Sequence, residues 1–375
     1  MMIRSTVFRM SSSALLAGLM LVGTGCKSEK KSETGGDTAA KPAAPQELTI
    51  ALLLPESKTM RYESFDRPYF EQKVRQLCSE CKIIYSNADQ DASKQQNQAE
   101  AALTNGAKVL VLDPVDSLSV VSVVARARQS KIPVVSYDRL ILNADVDYYI
   151  SFDNEKIGQL QGQALVDKLK ADGKDKGTIV VINGSPTDNN AKLYKNGAHS
   201  VIDGSGLVIG AEYDTPDWSP DKAQQQMEQA ITKLGKSAIA GVYAANDGMA
   251  GGAIAAMKAA GFNPLPPVTG QDSELAAIQR VVAGEQYMTI YKAMKMEAEA
   301  AAEVAVALAR GGQPSADKVN GKVNNGMKDV PSILLTAGTV TKDNVKSTVV
   351  ADGFWKAEQI CEGAYKDACA AAQVQ

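Results

Sequence analysis

The chain has 375 residues, 45% of them hydrophobic and 22% charged, with a formal net charge of −3. That mild acidity argues against nucleic acid as a partner, and no run of 18 consecutive apolar residues is present to span a membrane. The apolar content is enough for real cores in two domains of ordinary size.

Residues 1–25 begin with Arg4 and Arg9, run apolar over 14–22 and reach Gly23-Thr24-Gly25-Cys26 with no acid before Glu29. This is the pattern of an export signal, its apolar part too short for a membrane span. The box before Cys26 fits a lipoprotein signal in which that cysteine takes lipid, although Gly23 stands where leucine is usual. Residues 26–46 hold alanine and almost nothing else that is apolar past Cys26. Such a segment reads as a flexible tether holding a folded domain off a membrane. Without the signal, 38 bases face 43 acids, a net charge of −5.

Apart from Cys26, the cysteines form two local pairs, Cys78 with Cys81 and Cys361 with Cys369. Four cysteines allow three connectivities, the local one being simplest, and an oxidising compartment permits it. A redox-active Cys-x-x-Cys is the alternative for Cys78 and Cys81, but Cys78 ends a helical pattern instead of starting one. Zinc would need further ligands, and His199 is the single histidine. No metal and no cofactor is expected.

From residue 47 the pattern alternates between strand and helix. Strands are expected at 48–54, 82–85, 109–112, 134–135 and 148–152, and helices at 67–77, 92–104 and 117–129, the last capped by Ser117. The rhythm repeats with helices at 155–169, 190–202, 220–234, 248–260 and 273–283 and strands at 178–182, 207–211, 240–244, 268–271 and 287–291. A long alanine-rich helix covers 293–310, and a strand at 333–336 and a helix at 342–349 follow. Alternation over this length means parallel sheets covered by helices, in two similar Rossmann-like lobes.

In open α/β sheets, ligands lie at the carboxyl ends of strands, and those ends carry a consistent set of polar residues. The apolar run Ile132-Pro133-Val134-Val135 leads into Tyr137-Asp138-Arg139. An Asp–Arg pair there offers two acceptor oxygens and a fork of donors, which suits a polyhydroxylated ligand. The bland reading is a surface ion pair of little worth. Arg61 and Tyr62 follow the first strand, Asp188 and Asn190 follow 178–182, Asn246 and Asp247 follow 240–244, Gln271 and Asp272 end 268–271, and Lys292 ends 287–291. Asp188, Asp247 and Asp272 each also suit a helix cap, and Lys292 a solvated position. Trp218 fits either the core or a face offered to a sugar ring. Trp355 reads as packing. Glycine-rich dinucleotide loops and Gly-x-Ser-x-Gly elbows are absent from the sequence. Asp138 and Asp247 as an acid–base pair would make a glycosidase, the one enzyme alternative.

The stretches SYDRLILNADVDYYISFDNEKIGQLQ, GSPTDNNAKL, AANDGMAGGAIAA, TGQDSELAAIQRVVAGEQYMTIYKA and NNGMKDVPSILLT resemble bacterial periplasmic sugar-binding proteins of ABC uptake systems, the xylose-binding group most nearly. The resemblance runs from about residue 48 to 356. It implies the type I periplasmic binding protein fold: two α/β lobes with parallel sheets, joined by three crossings and closing on a monosaccharide. It implies a non-enzymatic binding protein with an ABC permease as partner, acting as a monomer. A chemoreceptor or sensor kinase as partner, or a repressor's sugar-sensing domain, would share the fold. By motif, Arg61, Asp138, Arg139, Asp188, Asn190, Trp218, Asn246, Asp272 and Lys292 are the implied sugar ligands, with Tyr62 where a tryptophan is usual. The implied lobes are 47–154 plus 293–325 and 155–292 plus 326–356, with hinges near Asn154, Lys292 and Asn325 and a tail at 357–375 holding Cys361 and Cys369.

Overall fold

Residues 48–374 are described by the computed structural model of the chain. The signal, Cys26 and the tether of the sequence reading lie outside them.

The first lobe starts from β1 (Thr49–Leu54), apolar and buried along its whole length, as a central parallel strand must be. It pairs in parallel with β2 (Lys82–Asn87) and β3 (Val109–Leu112), and β4 (Val134–Tyr137) and β5 (Tyr148–Phe152) extend the same sheet. Helices α1 (Arg67–Leu77), α2 (Ala92–Thr104) and α3 (Val121–Gln129) connect them. The sheet is sandwiched between two apolar clusters, one holding Leu52, Phe70 and Val111, the other Leu53, Leu110 and Val124.

The second lobe is built from α4 (Asn154–Ala171), β6 (Thr178–Asn183), α5 (Asn189–Ile202), β7 (Val208–Asp214), α6 (Pro220–Leu234), β8 (Ile239–Ala244), α7 (Asp247–Ala259), α8 (Leu275–Ala283) and β9 (Met288–Lys292). β7, β6 and β8 form a parallel sheet, and the expected strand at 268–271 contributes one bridge, Val268 to Val242. α4 and α5 approach so closely that a Cβ on Gly197 would run into the carbonyl of Glu155. That contact seals the lobe's largest core, around Ile182, Val242 and Met257.

α9 (Met294–Ala309) then returns to the first lobe, where its alanine face packs on the sheet. Here the strand pairing corrects the expected lobe boundaries. β10 (Gly321–Asn324) and β11 (Asp329–Leu335) form a hairpin, and β11 pairs in parallel with β5, Ile333 opposite Ile150. Residues up to 335 therefore belong to the first lobe's sheet, and β12 (Ala337–Thr341), antiparallel to β9, is the first segment back in the second lobe. The third crossing is at 335–337, beside the first, where the Asp153 N–H donates to the Leu335 carbonyl (3.1 Å). Asn325 is no hinge. It is buried in the β10–β11 turn, with its amide donating to the carbonyls of Ile141 (3.1 Å) and Ala144 (2.7 Å).

The expected helix at 117–129 starts four residues later, at Val121, without Ser117 as its cap. The expected helix at 342–349 shortens to one wide turn at Lys346–Val350. Beyond it, α10 (Ala357–Ile360) and α11 (Lys366–Ala371) fold back on α8. Ile360, Cys361, Cys369 and Val374 share a cluster with Ile278, Val281, Val282 and Phe65. Trp355 packs against Phe65 and donates to the Ser273 carbonyl (2.8 Å).

The four cysteines lie as two local pairs at disulfide distance. Cys78 and Cys81 sit at disulfide distance in the turn from α1 into β2, with a Cα–Cα separation of 5.2 Å. The two differ in exposure: Cys78 is buried, whereas Cys81 is only half-buried, packed at the margin of the Phe70 cluster. The Cys81 N–H donates to the Cys78 carbonyl (3.1 Å), so a tight backbone turn already brings the two side chains together. Cys361 and Cys369 sit at the same kind of distance, 5.6 Å between Cα atoms.

His199, without a role in the sequence reading, bridges Asp203 through Nδ1 (2.9 Å) and Glu212 through Nε2 (3.0 Å). Burial alone would lower its pKa, but hydrogen bonds to Glu212 and Asp203 outweigh that and hold it above 6.5. Burial likewise opposes the ionised Glu212, yet His199, Lys195 and Asn183 bring it down to about 2. A raised histidine contributes stability that is complete below 6.5 and fades as pH rises through its folded value. The Glu212 contribution fades only at the acid end, as pH falls from 4.5 towards 2. Thermal melts between pH 6 and 8.5 should therefore show falling stability, with a slope that His199→Gln reduces. An unchanged slope in that variant would refute the pairing.

Candidate functional site

Each sequence-predicted ligand residue sits where a strand has just ended. After β4 the chain turns sharply, with Asp138 at φ +49°. Ser136 fastens this turn, donating to the Arg139 carbonyl (2.8 Å) and accepting from the Ile141 N–H (2.9 Å). Trp218 (φ +53°) and Asp272 (φ +95°) occupy the same sparsely populated region. Strain of this kind, in non-glycine residues, gathers where side chains are aimed for a purpose.

The strand ends of the two lobes face one another across a small cavity. Arg61, Tyr62, Asp138 and Arg139 line it from the first lobe, and Asp188, Asn190, Trp218, Asn246, Asp272 and Lys292 from the second. All ten ligand residues of the sequence reading are thus brought together. Three more join them: Thr59, Tyr194 and Gln271. Tyr194 lies one helical turn beyond Asn190 on α5, so helical spacing from Asn190 was a usable signal. Gln271 was visible as a strand end. Thr59 lies in a loop with no local pattern to single it out.

Arg61 is held on three sides. Its Nε and Nη2 form a fork on Asp66 (2.8 and 2.7 Å), Nη2 also reaches Glu297 (2.6 Å), and Nη1 donates to Asp138 (3.1 Å). Arg139 donates to the Pro114 carbonyl (3.3 Å) and the Tyr62 hydroxyl (3.2 Å), and its Nε lies 3.0 Å from Asp188 of the other lobe. The Tyr62 hydroxyl in turn donates to Asp138 (3.1 Å). Burial opposes the Asp138 carboxylate, but Arg61, Lys292 and Arg139 more than offset it and hold its pKa below the usual range. Deeper in, burial pushes Asp113 and Glu297 well up, against the pull of Arg139 and Arg61 respectively.

On the second lobe Lys292 pairs with Asp272 (2.8 Å). The Trp218 indole N–H donates to Asp188 (3.1 Å), and its ring lies so close to Gly184 that any side chain there would displace it. Both readings of Trp218 meet: it belongs to the core cluster and lines the cavity. Asp188 does cap α5, whereas α7 is capped by Asn246 and not by Asp247, each cap accepting from a first-turn N–H. Capping and cavity lining are not exclusive here. Gln271 Oε1 is buried with no hydrogen-bond partner. The wall thus mixes ionised acceptors, forked donors, amides and two aromatic faces, which suits a small neutral molecule dense in hydroxyls.

Asp247 faces away. Gln286 and Thr289 donate to its carboxylate (2.7 and 2.8 Å), and burial raises its pKa to about 7. The acid–base pair of the glycosidase alternative is therefore not assembled. A wider groove by Phe262, Tyr287 and Lys342 on the second lobe is lined by none of the ten ligand residues.

The sequence profile of the periplasmic binding protein domain matches residues 50–313. The chain belongs to the periplasmic binding protein family. A D-xylose-binding periplasmic protein of Escherichia coli is 40% identical over 323 residues, which cover 85% of this chain and 94% of that protein. A multiple sugar-binding periplasmic receptor of Rhizobium radiobacter is 37% identical, over 72% of this chain and 81% of that one. The fold also superposes, with a TM-score of 0.77 and 28% identity, on an ABC transporter solute binding protein from Clostridium phytofermentans with bound β-D-glucose, covering 83% of this chain and 99% of that one. The chain is thus homologous to D-xylose-binding proteins, it has the type I fold, and its family implies a periplasmic location.

Proposed function

We propose that the chain binds a monosaccharide, D-xylose before other aldoses, and delivers it to the permease of an ABC transporter without altering it. The carrying observation is the small cavity shared by both lobes, ringed by Asp138, Arg139, Asp188, Asn190, Asn246 and Asp272. Each sugar hydroxyl both donates and accepts, so a hydroxyl between such groups satisfies them at once. A sugar lacking one leaves a buried charge unmatched, at about 1–3 kcal/mol, and that is the basis of selectivity. Trp218 and Tyr62 supply the flat apolar surfaces for ring C–H groups. The relative with the highest identity cited above is named for D-xylose, which orders the aldoses. The low pKa of Asp138 also suits a hydrogen-bond acceptor better than a general acid, which needs a raised one.

In this reading the mature protein is a monomer, anchored through lipid on Cys26 and spaced from the membrane by residues 27–46. The two cysteine pairs, Cys78 with Cys81 and Cys361 with Cys369, are disulfides formed in the periplasm. A sensory partner is the second reading, favoured by the relative named as a receptor. Calorimetric titration with a panel of pentoses and hexoses tests the sugar. One site per chain with D-xylose tightest is expected, and no heat with any aldose would overturn the proposal.

A further inference from the structure

The displaced Ser117 has a different task from the one its sequence position suggested. It lies in the loop after β3, at 3% exposure, and does not line the cavity. That loop is rigidly tied to the first lobe. Buried Gln95 donates to the Asp113 carbonyl (2.7 Å) and accepts from the Val115 N–H (2.8 Å), while the Leu142 N–H donates to the Ser117 carbonyl (2.8 Å). The rest of Ser117 reaches across to the second lobe. Its N–H donates to the Thr187 carbonyl (3.0 Å), and its hydroxyl accepts from the Asn189 N–H (3.1 Å).

Asn189 is the first residue of α5, a helix of 14 residues. The first N–H groups of a helix have no partner within it. The helix's own cap, Asp188, takes the Asn190 N–H (2.8 Å) and leaves that of Asn189 to Ser117. The cap of α5 is thus shared between lobes, and its second half exists only when they meet. From this we infer that Ser117 is a positioning residue, a latch between the lobes that sets the balance of closed and open forms, and thereby ligand affinity, without touching the ligand. The inference rests on the sugar-binding reading above.

Apparent affinity scales with the fraction of the chain in the binding-competent form. One hydrogen bond lost on closing should then weaken sugar binding about three- to tenfold. Ser117→Ala removes the acceptor. Asn189→Pro removes the donor from the other side, at a first helical position that tolerates proline. Stopped-flow and calorimetry on the full chain should show each variant releasing D-xylose faster by that factor, with association little changed. The order of preference among aldoses should stay as in the unaltered chain, and Ser117→Thr should restore tight binding. Because both variants break one bond, the double variant should be no weaker than either single one. Unchanged release in both variants, fully additive effects, or a reordered sugar preference would overturn the latch. An unaltered chain that binds no aldose would instead overturn the sugar-binding reading beneath it.

Discussion

Arg61→Met is expected to lower the stability of the chain by roughly 3–5 kcal/mol, the range for stripping one partner from a buried ion network. Arg61 is 3% exposed and serves Asp66, Asp138 and Glu297 together. Methionine fills much of the same volume, so the loss is electrostatic and not a cavity. Three carboxylates would be left in a space that water does not reach, with the Tyr137 hydroxyl on Asp66 as their main remaining donor besides Tyr62. Denaturant unfolding should show a lower midpoint at unchanged slope. Adding Asp66→Asn to Arg61→Met should recover part of the loss, because the carboxylate that the Arg61 fork held is no longer stranded. A variant as stable as the unaltered chain would mean that Arg61 is not the keystone of the first lobe's site.

Arg139→Ala should act on binding more than on folding. The guanidinium spans the lobes, with Asp188 3.0 Å away and Asp113 at 3.7 Å. Closing the lobes without it buries the Asp188 carboxylate against no cation, whereas in an open form that carboxylate is solvated. The cost therefore falls on closure, and about 3 kcal/mol there raises the dissociation constant at least about a hundredfold. Arg139→Lys should recover only a minor part, since an ammonium cannot reach Tyr62, Pro114 and Asp188 in one plane as the fork does.

How much of this was legible in the sequence follows from how local each signal is. Asp138 and Arg139 announced themselves because an apolar strand ran straight into them, and the same reasoning located Asp188, Asn246, Asp272 and Lys292. The closeness of Cys78 and Cys81 was equally local, three residues apart at the end of one helix. One partner that fixes Arg61 left no such trace: Glu297 is 236 residues away, in an alanine-rich helix. Thr59 was invisible for want of any periodicity in its loop. The hairpin of β10 and β11 escaped because Gly321–Asn324 is short and only partly buried, so its pattern is weak. Missing it moved the third crossing from 335–337 to Asn325 and assigned β11 to the wrong lobe. Ser117 looked like an ordinary cap, and only the meeting of two lobes reveals which helix it caps.

The central claim is that opposed charges on two lobes trap a small polyol between them. Titrating D-xylose into the intact chain and into Arg139→Ala, side by side in a calorimeter, tests it most directly. The account predicts saturable one-to-one heat for the former and at least about a hundredfold weaker binding for the latter. Equal affinities in the two proteins would contradict it.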